Sequence, residues 1–335
     1  MVTIYDIAKA CHVAPATVSK ALNNYAGVNQ KTKALIVKTA EKMNYVPNSM
    51  ARYLNIKQSF NVGMLIYISD EFPNFKHQFY LSIMDSFRAF MERNKYDLTL
   101  LSKNMEGVKD SFLNHCRLRQ VDGVLIIGDF SDEKIQELIN SGIPCVCFDY
   151  YGDKATGVYS DNYEKMFELT NYLIKLGHKD IVFIHGEAGE TTTLRSKAYK
   201  DALEASGIEF KDTMMLSGEY CNYQLAYKYT KDLLLRTTPP TAIMYADDHS
   251  ALGGVAAIED MGLKVPDDVS ITGFDGIELA SVIRPRLTTI KQNADEIGVV
   301  LGKKLLEAIK DPDNVNFEQI KVSAEFIQGG SCRRV

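Results

Sequence analysis

The sequence predicts an α/β chain that carries a small all-α module at its N-terminus, and three observations predict it. Residues 1–60 hold three short helix-period segments, each opened by a capping residue or a proline. From residue 61, short and nearly all-apolar runs alternate with helix-period segments, as buried parallel strands joined by helices do. The chain's 335 residues exceed what one core covers, because domains run to roughly 100–200 residues. With 46% hydrophobic and 24% charged residues it can fill sizeable cores, which excludes a disordered or fibrous chain. No apolar run approaches the roughly 20 residues of a membrane helix, and the N-terminus lacks a secretory signal. A cytoplasmic location with no membrane partner is expected. The six cysteines (Cys11, Cys116, Cys145, Cys147, Cys221, Cys332) form no C-x-x-C pair and read as reduced thiols, with Cys145 and Cys147 sharing the core face of a strand.

Charge divides the chain in the same place. Residues 1–60 hold eight Lys/Arg against two acids, a balance of +6, while the remainder holds 30 basic and 41 acidic residues, a balance of −11. A basic module on an acidic body suits a nucleic-acid reader, since Lys and Arg replace counterions at phosphates and the acidic body discourages indiscriminate binding.

The first helix starts at Thr3-Ile4-Tyr5-Asp6, a T-x-x-D cap, and places Ile4, Ile7, Ala8 and Cys11 on one face. After His12-Val13-Ala14, Pro15 opens a second helix with Val18 and Leu22 buried, ending near Asn23-Asn24. Asn29 caps a third, with Ile36, Ala40 and Met43 in register, closed by Tyr45-Val46-Pro47. Three short helices with a tight first turn make a helix-turn-helix unit, whose second helix enters the major groove of double-stranded DNA. That geometry selects Pro15, Ala16, Thr17, Ser19 and Lys20. Lys20 is the base reader, donating to guanine O6 and N7; Pro15 and Ala16 offer apolar contact, and Thr17 and Ser19 bond phosphates or bases. The competing reading, three helices capping a domain with Lys20 solvated, explains neither the tight spacing nor the charge. Asn48 can then cap one or two turns bearing Met50, Ala51 and Leu54, too short to persist unpaired.

Val2-Thr3-Ile4-Tyr5-Asp6-Ile7-Ala8, Ala16-Thr17-Val18-Ser19-Lys20-Ala21-Leu22-Asn23, Asn44-Tyr45-Val46-Pro47-Asn48 and Ala51-Arg52-Tyr53-Leu54 resemble the headpiece and hinge of the LacI/GalR family of bacterial transcription repressors, without a gap through residue 60. The resemblance implies a homodimer on a pseudo-palindromic operator, with paired hinge helices inserting Leu54 into the minor groove. It adds Thr3, Tyr5, Asn23, Asn29, Tyr45, Asn48, Ala51 and Arg52 to the DNA-binding set. Two positions depart from the family: Ala14 replaces a serine before the recognition pair, and Lys20 replaces an arginine.

In the body, the strand-like runs are Val62-Gly63-Met64-Leu65-Ile66, Gly123-Val124-Leu125-Ile126-Ile127, Cys145-Val146-Cys147-Phe148, Ile181-Val182-Phe183-Ile184, Ala242-Ile243-Met244-Tyr245 and Ser270-Ile271-Thr272-Gly273-Phe274. Four lead into Asp149, Gly186, Asp247 and Asp275 at their C-terminal ends, where open α/β sheets place ligands. A faint repeat, residues 62–94 against 181–206, predicts two similar lobes meeting at a cleft. The expected organisation is a headpiece over 1–46, a hinge helix and linker over 47–60, and a two-lobed body over 61–335. Lobe one is expected to hold about 61–160 and 291–315, and lobe two about 161–290 and 316–330.

Val121-Asp122-Gly123, Ser160-Asp161-Asn162, Leu176-Gly177-His178-Lys179-Asp180-Ile181, Gly273-Phe274-Asp275 and Arg284-Pro285-Arg286-Leu287-Thr288-Thr289-Ile290 resemble the same family's effector-binding body. That implies two Rossmann-like α/β lobes of the periplasmic-binding-protein type. Carried over by position, the family's pocket falls on Phe79, Tyr80, Asp149, Arg195, Tyr220, Asp247 and Asp275. Carboxylates accept from hydroxyls, Arg195 donates a planar fork and Tyr220 offers a flat face, so a neutral polyhydroxylated small molecule, a sugar, is the expected effector. Asp247 stands where relatives carry asparagine, Ala198 where they carry glycine and Gln78 where they carry proline. The structural alternative is that Asp149 and Asp275 only cap helices and Arg195 pairs with one of them.

The six histidines form no H-E-x-x-H or H-x-x-x-H run, and Gly186-Glu187-Ala188-Gly189-Glu190 lacks the Lys-Ser/Thr of a P-loop, so no metal, cofactor or enzyme activity is expected. A ligand-responsive repressor of carbohydrate-utilisation genes is the resulting expectation. The rivals are control by a phosphorylated protein corepressor with a vestigial pocket, and a nucleoside- or purine-responsive regulator.

Overall fold

The computed structural model describes residues 2–23, 25–45, 58–67, 77–102 and 111–335. They divide into two compact units, Met1–Ser59 and Phe60–Val335.

The first unit is three helices: α1 (Ile4–Cys11), α2 (Pro15–Leu22) and α3 (Gln30–Lys42). Local chemistry sets each start. At α1, Thr3 and Asp6 satisfy each other's backbone N–H groups in a capping box. Asn29 Oδ1 accepts from Thr32 N at 2.8 Å to begin α3. At α2 no side chain caps the helix and Pro15, which has no N–H to satisfy, takes the first position. Ile7, Val18 and Ile36 meet with no exposed surface, each contributing about 1.5–3 kcal/mol of burial. The hinge helix expected over 47–60 falls largely outside the described residues.

The second unit contains two parallel sheets. Strands β1 (Asn61–Tyr67), β2 (Asp97–Leu100), β3 (Gly123–Gly128), β4 (Cys145–Phe148) and β5 (Thr156–Ser160) build the first, interleaved with α4 (Gln78–Arg93), α5 (Phe112–Arg119) and α6 (Glu133–Ile139). Alternate residues face opposite layers. Leu125, Ile127, Val146 and Phe148 join the core under α4, while Val124, Ile126, Cys145 and Cys147 join the one under α5 and α6.

After α7 (Asn162–Lys175), the second sheet is formed by β6 (Ile181–His185), β7 (Met215–Ser217), β8 (Ala242–Tyr245) and β9 (Ser270–Thr272), in the order β7-β6-β8-β9. Ile181 and Phe183 pack on α7 and α8 (Glu190–Ala205). Val182 and Ile184 pack toward α9 (Tyr223–Leu234) and α10 (Asp248–Asp260).

The chain returns through α11 (Glu278–Val282) and β10 (Thr289–Lys291) to α12 (Ala294–Lys310), which lies along α4. Gly298 and Gly302 allow that approach, since a Cβ there would meet the α4 backbone and the Phe90 ring. The C-terminal segment corrects the expected lobe assignment. Residues 316–330 were assigned to lobe two, but β11 (Gln319–Val322) pairs with β5 as the edge strand of the first sheet, giving the order β11-β5-β4-β3-β1-β2. β11 satisfies the backbone groups that β5 would otherwise leave unpaired. From Ala324 onward the chain lies on the second lobe's side, where β12 (Glu325–Ile327) pairs antiparallel with β10 and Ser331 bonds Thr288 and Ile271. Asp161 Oδ1 accepts from Ala324 N at 2.8 Å and ties two of these crossings together.

Among the described residues no helix is long and apolar enough to cross a membrane, and no group of three His, Cys, Asp or Glu residues could hold a metal ion.

Candidate functional site

On the headpiece, the sequence-selected residues fall into three groups. Ala16, Lys20, Asn23, Thr3 and Tyr5 are exposed, Tyr5 at 69%. Pro15, Thr17 and Ser19 are half-buried along the same helix. Tyr45 packs against the headpiece core, and Asn29 serves as the α3 cap that the sequence reading expected, so both have structural work besides any DNA contact. Asn48, Ala51, Arg52 and Leu54 lie outside the described residues.

In the second unit a cavity of about 830 Å³ opens between the lobes. Six of the seven predicted pocket residues line it: Phe79, Tyr80, Asp149, Arg195, Tyr220 and Asp275. Phe79 and Tyr80 come from the first turn of α4, and Asp149 follows β4. Arg195 lies in α8, Tyr220 follows β7, and Asp275 follows β9. Asp149 and Asp275 adopt positive φ (55° and 105°), a conformation costing non-glycine residues about 1–3 kcal/mol that is found where the surrounding structure enforces it. Backbone hydrogen bonds do so here: Asp149 N donates to Val158 O and Asp275 N to Ile290 O, each at 2.8 Å.

Arg195 is buried and held on three sides. Its Nε donates to Asn162 Oδ1 at 2.9 Å, Nη1 to Ala246 O at 3.0 Å, and Cζ sits 3.5 Å from the Phe274 ring centroid. Nη2 is left uncommitted among the described residues. Tyr220 is fixed by a 2.9 Å bond between its hydroxyl and Thr192 Oγ1 and by donation from its N–H to Glu187 Oε2. Its ring lies against Gly186, where any side chain would collide with it.

Asp247 is the exception, and its placement corrects the predicted set. It is 1% exposed, is not a lining residue, and caps α10. Oδ1 accepts from Ser250 N at 2.8 Å, while Oδ2 accepts from Cys221 N at 2.8 Å and Ser250 Oγ at 2.9 Å. Its carboxylate therefore fixes the loop next to Tyr220 and is not presented to the cavity. Neighbouring Asp248 does parallel work: its oxygens accept from Thr289 Oγ1 at 2.6 Å and Ile277 N at 2.8 Å, holding the loop after Asp275 against β10.

Among the cavity residues that sequence reasoning missed are His77 and Gln292. His77 stacks on Tyr80 with ring centroids 3.9 Å apart and planes 14° from parallel. Gln292 Nε2 donates to Asp275 Oδ1 at 2.7 Å. The available signals were a histidine two residues before the aromatic pair and a glutamine ending the otherwise regular Thr-Thr-Ile-Lys crossing.

Burial governs the electrostatics. It pushes Asp149 up to about 6, opposed by the Arg195 charge and by bonds from Thr191 and Asn162, and it holds Asp275 well above the usual carboxylate range. It lowers His77 to about 3, helped by repulsion from His249 and Arg195. His77 Nε2 and Asp275 Oδ2 are 3.9 Å apart, and burial disfavours the charged form of each. His77 Nδ1, Asp149 Oδ1 and Gln292 Oε1 are buried without a hydrogen-bond partner.

Comparison with known proteins gives a consistent result. Residues 3–48 match the bacterial regulatory proteins of the lacI family, and residues 170–332 match the periplasmic binding protein-like domain. The probable HTH-type transcriptional repressor ExuR of Bacillus subtilis (strain 168) is 31% identical over 340 residues, covering 100% of this chain and 99% of that protein. Catabolite control protein A of Priestia megaterium is 31% identical over 334 residues, covering 98% of each. Among solved structures, the lac repressor dimer bound to operator and the anti-inducer ONPF matches with a TM-score of 0.84 at 23% identity, covering 99% of both chains; this likeness concerns the fold.

Proposed function

This chain belongs to the lacI family of bacterial regulatory proteins and is a DNA-binding transcriptional repressor, and from that premise we propose what it senses and how it engages its operator. It represses carbohydrate-utilisation genes in the cytoplasm, as a homodimer on a pseudo-palindromic operator. Its operator affinity is switched by a neutral polyhydroxylated ligand, a sugar, bound between the lobes. Residues 1–46 form the headpiece, 47–60 the hinge and 61–335 the sensing and dimerisation body.

The observation that carries the ligand reading is the interlobe cavity in which buried atoms of His77, Asp149 and Gln292 lack partners. Each such atom costs about 1–3 kcal/mol unsatisfied, and a ligand that bonds all three recovers that cost. The Arg195 charge acts on Asp149, and burial disfavours the charged forms of His77 and Asp275, which favours an uncharged guest. On the DNA side, exposed Ala16 and Lys20 on α2 support major-groove entry by that helix, with Thr3, Tyr5 and Asn23 beside it. The roles of Asn48, Ala51, Arg52 and Leu54 rest on sequence alone. Exposed Leu81, Tyr223, Leu279 and Val282 supply apolar surface for a second copy.

A thermal-shift panel of sugars, combined with operator footprinting, tests this. A sugar that raises the melting temperature and alters a salt-sensitive footprint is the expected result. A response only to adenosine or hypoxanthine would favour a nucleoside sensor. Operator control without any small-molecule response would favour a phosphorylated protein corepressor.

A further inference from the structure

His77 opens α4 from the first lobe, at the position before Gln78, and is 4% exposed. Its plane is fixed by the stack on Tyr80, and Tyr80 is itself held edge-on by Phe148 at 6.1 Å. One nitrogen, Nε2, faces Asp275 of the second lobe at 3.9 Å, too far for a hydrogen bond. The other, Nδ1, is buried without any partner, on a residue that lines the same cavity. A buried, preoriented imidazole with an unused nitrogen is not explained by packing, because a phenyl ring would fill the same space without stranding a polar atom.

The three unpartnered atoms differ in what they require. Asp149 Oδ1 and Gln292 Oε1 accept, so each calls for a donor. Nδ1 of a neutral imidazole either accepts or donates, depending on its tautomer. A hydroxyl group meets all three demands, because it donates and accepts. A carboxylate can donate to neither of the two acceptors, and it would sit beside Asp149 and Glu187.

We propose that His77 is a specificity-determining residue of the interlobe site: its Nδ1 reads one ring hydroxyl of a neutral cyclic polyol whose other hydroxyls meet Asp149 and Gln292. This rests on the effector reading above and narrows it, since it predicts which ligand atom type matters.

Calorimetric titration of the full chain with glucose, galactose, ribose and cellobiose, beside galacturonate and adenosine, tests both levels. The sugar that binds is then replaced by its monodeoxy analogues, for the native chain and for His77→Phe, which keeps the stack on Tyr80. One deoxy analogue is expected to bind the native chain about five- to thirty-fold more weakly than its parent sugar. His77→Phe should bind the parent weakly by a similar factor and should no longer distinguish that analogue from it. A merely structural role would lower affinity for every analogue alike. Should His77→Phe fail to fold, His77→Ala with the same analogues gives the same reading. Unchanged deoxy penalties in the variant, or tighter binding of galacturonate than of galactose, would overturn the role of His77 while leaving an effector site. Silence of the entire panel would overturn the effector reading itself and this inference with it.

Discussion

Replacing Asp247 separates a residue that holds the site from one that touches the ligand. In Asp247→Ala the α10 cap onto Ser250 N is lost, worth about 1 kcal/mol. Cys221 N–H loses its Asp247 acceptor in a part-buried loop, which costs about 1–3 kcal/mol. The expected destabilisation of the body is therefore about 2–4 kcal/mol. Asp247→Asn retains the cap through Oδ1 but sets an amide donor opposite the Cys221 donor, so it should lie between the native chain and the alanine variant. Urea unfolding of the ligand-free chain measures this. The sequence has no tryptophan, so far-UV circular dichroism is the suitable probe. With a slope of about 3 kcal/mol/M, the alanine midpoint should fall by about 0.7–1.3 M. Sugar affinity should fall in the same order, through disorder of the Tyr220 loop. An alanine variant within about 0.5 kcal/mol of native stability that nevertheless loses sugar binding would refute this account and return Asp247 to the ligand shell.

Three further outcomes are expected. Lys20→Ala should weaken operator binding by about 1–3 kcal/mol and relax selectivity at one base pair, measured by fluorescence anisotropy on a set of substituted duplexes. His77 is neutral in the fold down to about pH 3 while an unfolded histidine protonates near 6.5, so its contribution to stability is complete above about pH 6.5 and is lost as pH falls through the window between those values. At pH 5 the native chain should have lost about 2 kcal/mol relative to His77→Phe, read from urea midpoints at the two pH values. The double substitution Leu279→Asp, Val282→Asp introduces like charges on exposed α11 and should give a monomer in sedimentation equilibrium with an unchanged far-UV spectrum.

The headpiece was legible because its signals are local. Thr3, Pro15 and Asn29 act on amides within three residues of themselves, and no distant contact is needed to interpret them. The sheet strands were legible for a related reason, since strands buried on both faces must be apolar throughout. β11 was not: Gln-Ile-Lys-Val alternates like any half-exposed segment, and only its pairing with residues 157–160, far away in sequence, assigns it to the first lobe. Asp247 and Asp275 illustrate the limit at the site. Each follows a buried strand and each was read as a ligand contact, yet Asp247 is extended (φ −154°) and caps its helix, whereas Asp275, at φ 105°, lines the cavity. That difference is set by what lies around each residue. Around Asp275 it is the backbone bond to Ile290 and the Gln292 amide, both supplied by the returning crossing. His77 stayed hidden because its place two residues before the aromatic pair does not say which way a lone histidine faces.

The site's residues also differ in what they can contribute to switching. The chain passes between lobes beside Asp161, at residues 290–293 and beside Ala324, and the first and last of these are bonded to each other. Asp275 bridges to Lys291 and holds Gln292, so both belong to the pivot, where opening and closing displace atoms least. A ligand bonded only there has nearly the same contacts in either state, and equal affinity shifts no equilibrium. Tyr80 and Asp149 belong to the first lobe, Arg195 and Tyr220 to the second, and none of them is part of a crossing. A ligand that joins those pairs gains contacts only when the lobes approach. Two such hydrogen bonds at about 0.5–1.5 kcal/mol each amount to the 1–3 kcal/mol of coupling that allosteric proteins typically use. Recognition at the pivot and closure away from it are thus separable tasks: Asp275 and Gln292 can keep their ligand bonds in either state, and the energy for switching has to come from the residues that face one another across the open end.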